Sequence, residues 1–260
     1  MVEYIYVDCK GKRKLEKIKR PKKLTKFFSI VIPTYNEEGN IMELTNQISN
    51  SFKNLTKKEY EIIIVDDNSK DKTPGIIDNL AKKNNIIALH RINAEGIFSA
   101  IKEGIKIANG NIVVMMDADF SHPPTLIPQL IDNMKNYDLV SGSRFIKGGG
   151  VEAPFFREFG TIILNKVCRI ILNLKPKDLT GGFHAIKKID FEKMKFEYPT
   201  IFGEFDMELF IEAKKLKLKI KEVPYVYKFR LEGKSKVESV LGYGMHYFMR
   251  AIQLKLFKKY

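Results

Sequence analysis

The run Glu61–Val65 (EIIIV) constrains this chain more than any other stretch. Four consecutive apolar residues lie between Glu61 and Asp66. Such a run reads as a strand buried on both faces, the habit of a parallel sheet covered by helices. Parallel strands need helical crossovers. Helical spacing recurs between the apolar runs, over Glu37 to Phe52, Asp71 to Lys83 and Ala94–Ala108, the last ending at Asn109-Gly110. Ser29–Ile32, stopped by Pro33, Ile86–Leu89, Ile112–Met116 and Asp138–Ser141 read as further strands. This βαβα order predicts a doubly wound α/β fold, a mostly parallel sheet with helices on both faces. Gly148-Gly149-Gly150 reads as a flexible break, and the pattern after it is less regular. The 260 residues allow ample core, and no linker separates two domains.

Charge is distributed unevenly. The net charge is +14. Residues 10–26 carry net +9 and residues 228–260 carry +6, while residues 27–227 carry only +1. A neutral body with cationic ends argues against a nucleic-acid groove and for an anionic surface met at the ends. Residues 1–26 are expected to be a flexible basic arm. Two cysteines, Cys9 and Cys168, cannot form a disulfide framework, which fits a reducing compartment. No run is long enough to span a membrane, and no signal peptide is visible.

The strand ends carry the chemistry. Ligands of open α/β sheets bind beyond the carboxyl ends of the strands. Here those ends read Pro33-Thr34-Tyr35-Asn36-Glu37, Asp66-Asp67-Asn68-Ser69 and Asp117-Ala118-Asp119. Two aspartates at i and i+2 past an apolar strand suit Mg²⁺ or Mn²⁺, which would also bind ligand phosphates. Taken alone, an Asp-x-Asp more often caps the following helix. No Walker or G-x-G-x-x-G loop occurs, which argues against a P-loop ATPase or a dinucleotide enzyme.

Six ordered motifs are together far more specific. VIPTYNEE (Val31–Glu38), VDDNSKDKT (Val65–Thr73) and MDADFSHPP (Met116–Pro124) resemble family 2 glycosyltransferases with the GT-A fold. SGSRF (Ser141–Phe145), DLTGGFHAIKK (Asp178–Lys188) and the late Arg230 and Lys236 resemble its polyprenyl-phosphate branch, the dolichol-phosphate mannose synthases. The resemblance covers about residues 28–237 and implies a GT-A domain over 27–236.

The resemblance implies roles residue by residue. Pro33, Tyr35 and Glu37 would cradle the donor nucleoside, with Val65 and Asp67 beside base and ribose. Asp117, Ala118 and Asp119 would face the sugar-phosphate. Asp117 and Asp119 would hold Mg²⁺ or Mn²⁺, with Ser121 a weaker ligand. Arg230 and Lys236 would lie on a loop closing over the diphosphate. Arg144, Arg157 and Thr161 would bind the acceptor phosphate, the arginines through their bidentate fork. Catalysis would rest on Asp119, Arg144 and Arg157, with no general base, because a phosphate acceptor is already anionic. The implied reaction is inverting transfer of mannose from GDP-mannose to dolichyl (polyprenyl) phosphate. The alternatives are a UDP-glucose-dependent glucosyltransferase and, in another class, a non-catalytic basic scaffold binding lipid or nucleic acid.

A lipid acceptor requires contact with a membrane. Arg157, Thr161, Asn165, Arg169 and Asn173 recur every four residues, forming a polar stripe on a helix otherwise rich in apolar residues. Within 237–260, Ser239, His246, Arg250 and Gln253 form a second polar stripe, read as solvent-facing. That segment suits either an interfacial amphipathic helix or a helix packed on the body. The expectation is a peripheral protein on the cytoplasmic face of a membrane, open to a membrane-anchoring subunit and binding no nucleic acid.

Overall fold

The computed structural model describes residues 4–7, 13–16, 28–53, 59–83, 85–92, 96–152, 155–196, 204–227 and 240–257. In chain order the strands and helices are β1 (Tyr4–Val7), β2 (Arg13–Glu16), β3 (Phe28–Thr34), α1 (Ile41–Ser51), β4 (Tyr60–Asp66), α2 (Thr73–Leu80), β5 (Ile86–Arg91), α3 (Ile97–Ile107) and β6 (Ile112–Met115). There follow α4 (Ile127–Asn133), β7 (Leu139–Ser143), β8 (Gly150–Val151), α5 (Phe155–Ile171), β9 (His184–Lys187), α6 (Lys188–Phe191), α7 (Phe205–Lys215), β10 (Ile220–Pro224), β11 (Val226–Tyr227) and α8 (Val240–Phe257).

Nine strands form one sheet in the order β10-β7-β9-β6-β3-β4-β5-β1-β2. Strands β6, β3, β4 and β5 are mutually parallel. Strand β9 runs antiparallel between β6 and β7, and β10 is parallel to β7. The α/β expectation holds. Alternate residues of the central strands feed two cores. Val31, Ile63 and Val65 pack with Phe98, Ile101 and α7 on one face, while Ile30, Ile32, Ile62 and Ile64 pack with Ile41, Leu44 and Ile77 on the other. This is the period-2 geometry of a strand buried on both sides.

Three local readings change. Strand β3 does not stop before Pro33; it runs to Thr34, with Pro33 paired to Val65. The carbonyl of Val31 accepts from the Met116 N–H, so odd-numbered residues of β3 bond toward β6. Strand β6 has ended by the level of Pro33, so its missing N–H costs no ladder bond. The triple glycine is an ordered turn leading into β8, which pairs with β11. Gly148 has φ +93, and a Cβ on Gly149 would stand 2.6 Å from the Ser143 carbonyl oxygen. Finally, two pieces of the expected basic arm are strands. Tyr4–Val7 and Arg13–Glu16 form an antiparallel pair that extends the sheet beyond β5. The β-favouring run Tyr4-Ile5-Tyr6-Val7 covers an edge that would otherwise carry unpaired backbone groups. The other residues of 1–26 lie outside the described ones.

Helix α7 is deeply buried. Phe205 through Ala213 are all buried, including Asp206, Glu208 and Glu212. Its acids find partners at long range. Arg250 Nη2 donates to Glu208 Oε1 at 2.6 Å, and His246 meets Glu204. The polar stripe of α8 therefore turns inward at Arg250, while His246 reaches Glu204 from a half-exposed position and Gln253 faces solvent. Tyr247, Ala251 and Leu254 bury the same side in the core, while Met245, Met249 and Leu256 are exposed. No helix among the described residues is long and apolar enough to cross a membrane.

Candidate functional site

The strand order reverses between β3 and β6, because the chain moves from β3 outward through β4 and β5 and returns on the other side of β3. The crevice beyond the carboxyl ends at such a switch point is where open sheets bind ligands. Pro33 and Thr34 end β3 and Tyr35 to Glu37 follow it on one side of the crevice, and Asp117 to Asp119 follow β6 on the other. Strand β9 begins at this same edge, with His184 opposite both Met115 and Ser141. The edge therefore also gathers Arg144 and the loop Asp178–Gly182.

The loops after β3 and β4 are laced together. Asn36 and Asn68 adopt positive φ, which turns each chain sharply at its strand end. The Asn36 N–H donates to Ser69 Oγ at 2.8 Å, the Glu37 N–H to Thr73 Oγ1 at 2.8 Å, and the Lys70 N–H to Asn36 Oδ1 at 2.8 Å. Asn40 Nδ2 donates to Glu37 Oε2 at 2.9 Å, so that carboxylate is buried but oriented. Tyr35 is exposed, and an exposed phenol ring suits stacking on a planar ligand. Asp67 accepts from the Gly96 N–H at 3.1 Å and lies 2.8 Å from Nη1 of the fully buried Arg91. Val65, expected beside the base, has its side chain wholly in the core; only its carbonyl, which accepts from Thr34 Oγ1 at 3.3 Å, belongs to the strand end. Beneath this loop His90 lies 2.8 Å from Asp78 and 3.6 Å from Asp66. Burial works against its charge, but hydrogen bonds to Asp66 and Asp78 outweigh it and raise its pKa.

The acidic turn is tightly built. Asp119 and Ala118 are buried, and Phe120 has φ 63. The Ser121 N–H donates to Asp119 Oδ1 at 3.1 Å, folding Ser121 back over the carboxylate. Ser121 Oγ is buried with no hydrogen-bond partner among the described residues. Native proteins seldom bury a hydroxyl unsatisfied, so this oxygen, on a residue whose N–H already bonds the Asp119 carboxylate, fits a hard-cation site. Among the described residues, no three His, Cys, Asp or Glu side chains come together to hold a cation alone.

Arg144 has a partner that the motifs do not reveal. Its Nε donates to Asp178 Oδ2 at 2.7 Å and its Nη2 to Asp178 Oδ1 at 2.6 Å, a bidentate fork. Nη2 also meets Thr180 Oγ1 at 2.7 Å. Burial alone would raise the Asp178 pKa, but the Arg144 charge and hydrogen bonds hold it below the usual carboxylate range. Asn165 on α5 ties in here as well, accepting from the Leu179 N–H at 2.6 Å and donating to Thr180 Oγ1 at 3.1 Å. Thr161 stands one turn earlier on α5, half-buried. The polar stripe of α5 thus faces the body at Asn165, while Phe159, Ile162, Ile163 and Ile170 are exposed. Arg157 lies on α5, but its side chain is outside the described residues, as are Arg230 and Lys236.

Two buried residues brace the loop between these groups. Asp206 accepts from the Gly182 N–H at 2.7 Å and from His184 Nε2 at 2.9 Å. His122 lies between Asp117 and Gly181, and burial, only partly opposed by the nearby Asp119 charge, pushes its pKa down to about 4. His122, Asp178 and His184 all stand inside the sequence motifs, which carry no sign of which residue faces which.

Comparisons agree with this geometry. The sequence profile described as glycosyl transferase family 2 matches residues 29–195. A dolichol-phosphate mannosyltransferase of Pyrococcus furiosus is 38% identical over 215 residues, 81% of this chain. The chain spans 59% of that relative's length. A dolichol-phosphate mannosyltransferase of Saccharomyces cerevisiae is 29% identical over 241 residues, covering 89% of this chain and 88% of the yeast one. Glucosyl-3-phosphoglycerate synthase from Mycobacterium tuberculosis, solved with Mn²⁺, UDP and glucosyl-3-phosphoglycerate, superposes with a TM-score of 0.64 at 19% identity. That likeness covers 88% of this chain and 80% of the synthase, and it is one of fold, the GT-A arrangement. With the switch-point crevice, the acidic turn and the profile match in agreement over most of the sheet, the chain belongs to glycosyl transferase family 2.

Proposed function

We propose that the protein is an inverting glycosyltransferase that moves mannose from GDP-mannose to dolichyl (polyprenyl) phosphate. The observation that carries this reading is the acidic turn at the switch point, Asp117 and Asp119 with the unsatisfied Ser121 hydroxyl, beside an arginine already oriented by Asp178. The names of the relatives at 38% and 29% identity support the mannose and lipid assignments.

On this reading Pro33, Tyr35, Glu37 and Asp67 hold the nucleoside, and Arg91 fixes Asp67 from behind. Asp117 and Asp119, with Ser121, hold the divalent cation; when bound, it stabilises the leaving diphosphate as a Lewis acid. Arg230 and Lys236 add positive charge to the same group. Asp178 and Thr180 set the plane of the Arg144 guanidinium, so the acceptor phosphate meets a cation that needs no reorganisation. Arg157 and Thr161 extend that site along α5. A phosphate oxygen of the acceptor then forms its bond to the anomeric carbon as the bond to the diphosphate breaks, and the anomeric configuration inverts. The acceptor needs no base, because it is already an anion.

Incubation with Mn²⁺, a short-chain polyprenyl phosphate and radiolabelled GDP-mannose should label the lipid. Labelling from UDP-glucose instead would move the donor assignment to the glucosyltransferase reading. Labelling from neither would leave only the non-catalytic scaffold reading.

Helices α5 and α8 pack on each other, and the acceptor reading also accounts for their exposed outer faces. Phe159, Ile163 and Ile170 on α5 and Met245, Met249 and Leu256 on α8 stand exposed, with Lys166 and Lys255 among them. Apolar area flanked by lysines matches an anionic lipid surface. The Met245→Glu/Met249→Glu double variant should lower binding to phosphatidylserine vesicles at least roughly tenfold in a flotation assay, since two exposed side chains that would enter the lipid carry more than about 1.4 kcal/mol. Unchanged flotation would remove this face as the membrane contact.

A further inference from the structure

His122 occupies a position that the proposed roles leave unused. Its imidazole is 1% exposed and lies nearly parallel to the Phe183 ring at 4.8 Å. The Asp117 backbone N–H donates to Nδ1 at 2.9 Å. The ring proton must therefore sit on Nε2, which donates to the Gly181 carbonyl at 2.6 Å. One ring thus joins the backbone of the acidic turn to a loop 59 residues away in sequence.

The far side of that loop holds Arg144. Between Asp178 and Gly182 the chain supplies the carboxylate and hydroxyl that grip the guanidinium, the carbonyl that meets His122, and the N–H that meets Asp206. Gly182 closes the turn at φ +68, where a Cβ would stand 3.3 Å from His122 Cε1. The path from Asp117 through His122 and Gly181 to Thr180, Asp178 and Arg144 is unbroken, and each link is buried or half-buried. A phenyl ring of similar size would fill the space but make neither bond.

We propose that His122 is a positioning residue that sets the distance between the carboxylates of the acidic turn and the Arg144 cation. Resting on the transferase reading above, it thereby fixes the separation of donor diphosphate and acceptor phosphate without touching either. A displacement of about 1 Å in reacting groups can cost about a hundredfold in rate, so one rigid link here is worth a large share of the transfer rate.

The test compares wild type with His122→Phe, which keeps the stacked ring, and His122→Gln, which can reach Gly181 but not both partners. Hydrogen exchange over residues 178–183 without ligand should speed up at least roughly tenfold in His122→Phe, while exchange over β3 and β4 stays unchanged. In the steady state, kcat for lipid labelling should fall about a hundredfold, with KM for GDP-mannose and Mn²⁺ affinity by EPR within about threefold of wild type. His122→Gln should fall between the two. Uniform loss of Mn²⁺ binding, KM and stability would mark His122 as merely structural and overturn the proposal, as would unchanged exchange at 178–183. If wild type transfers no sugar yet the exchange difference persists, the transferase reading fails and the tether stands.

Discussion

Replacing Asp119 by alanine is expected to lower sugar transfer by roughly 10³-fold or more while leaving the protein folded. The carboxylate is buried just past the end of β6, where its Oδ1 accepts the Ser121 N–H. Losing that bond costs about 1 kcal/mol, within the margin of a stable domain. On the proposed reading, losing one of two carboxylates that would hold the cation removes a full negative charge from its shell, and the leaving diphosphate would lose its principal stabilisation. Thermal melting by circular dichroism should shift by only a few degrees, whereas Mn²⁺ binding by EPR and lipid labelling should both collapse. Transfer near the wild-type rate would exclude Asp119 from metal binding.

The second large effect concerns stability. Arg250→Ala should destabilise the protein by about 3–5 kcal/mol, because it leaves the Glu208 carboxylate buried without its guanidinium. Glu208 is 0% exposed and Arg250 8%, and the 2.6 Å contact joins α7 to α8. The arginine of α8 is thus a structural bolt through the body. Pairing Arg250→Met with Glu208→Gln should recover most of the loss, since neutral groups of similar volume carry no uncompensated charge. Urea denaturation measures both. A loss below about 1 kcal/mol for Arg250→Ala would show a solvated pair of surface strength. Together with the exposed Met245 and Met249, this gives α8 two faces, one fastened to the core by the Arg250–Glu208 ion pair and one apolar and outward.

Much of this architecture is legible in the amino-acid string. The βαβα order, the apolar strands and the acidic turns are local patterns of two to eight residues, and local patterns survive in one dimension. Pro33 misleads because its missing N–H matters only if a neighbouring strand is level with it, which depends on where β6 ends. The stripe containing His246 and Arg250 misleads for a related reason. Helical spacing says that residues share a face, and it cannot say that Arg250 on that face is drawn into the core by Glu208 while Gln253 stays in water.

Fold class, the strand-end position of Asp117 and Asp119, and the near-neutral body between basic ends all follow from the sequence alone. Each rests on composition or on residues adjacent in the chain. Three pairings required the folded chain: Asp178, 34 residues from Arg144, orients it; His122 reaches Gly181; and Glu208 takes Arg250. A charge in a sequence has a sign but no direction. Its partner is chosen by which strand ends and helix faces the sheet order brings within about 3 Å, where a desolvated hydrogen bond becomes strong.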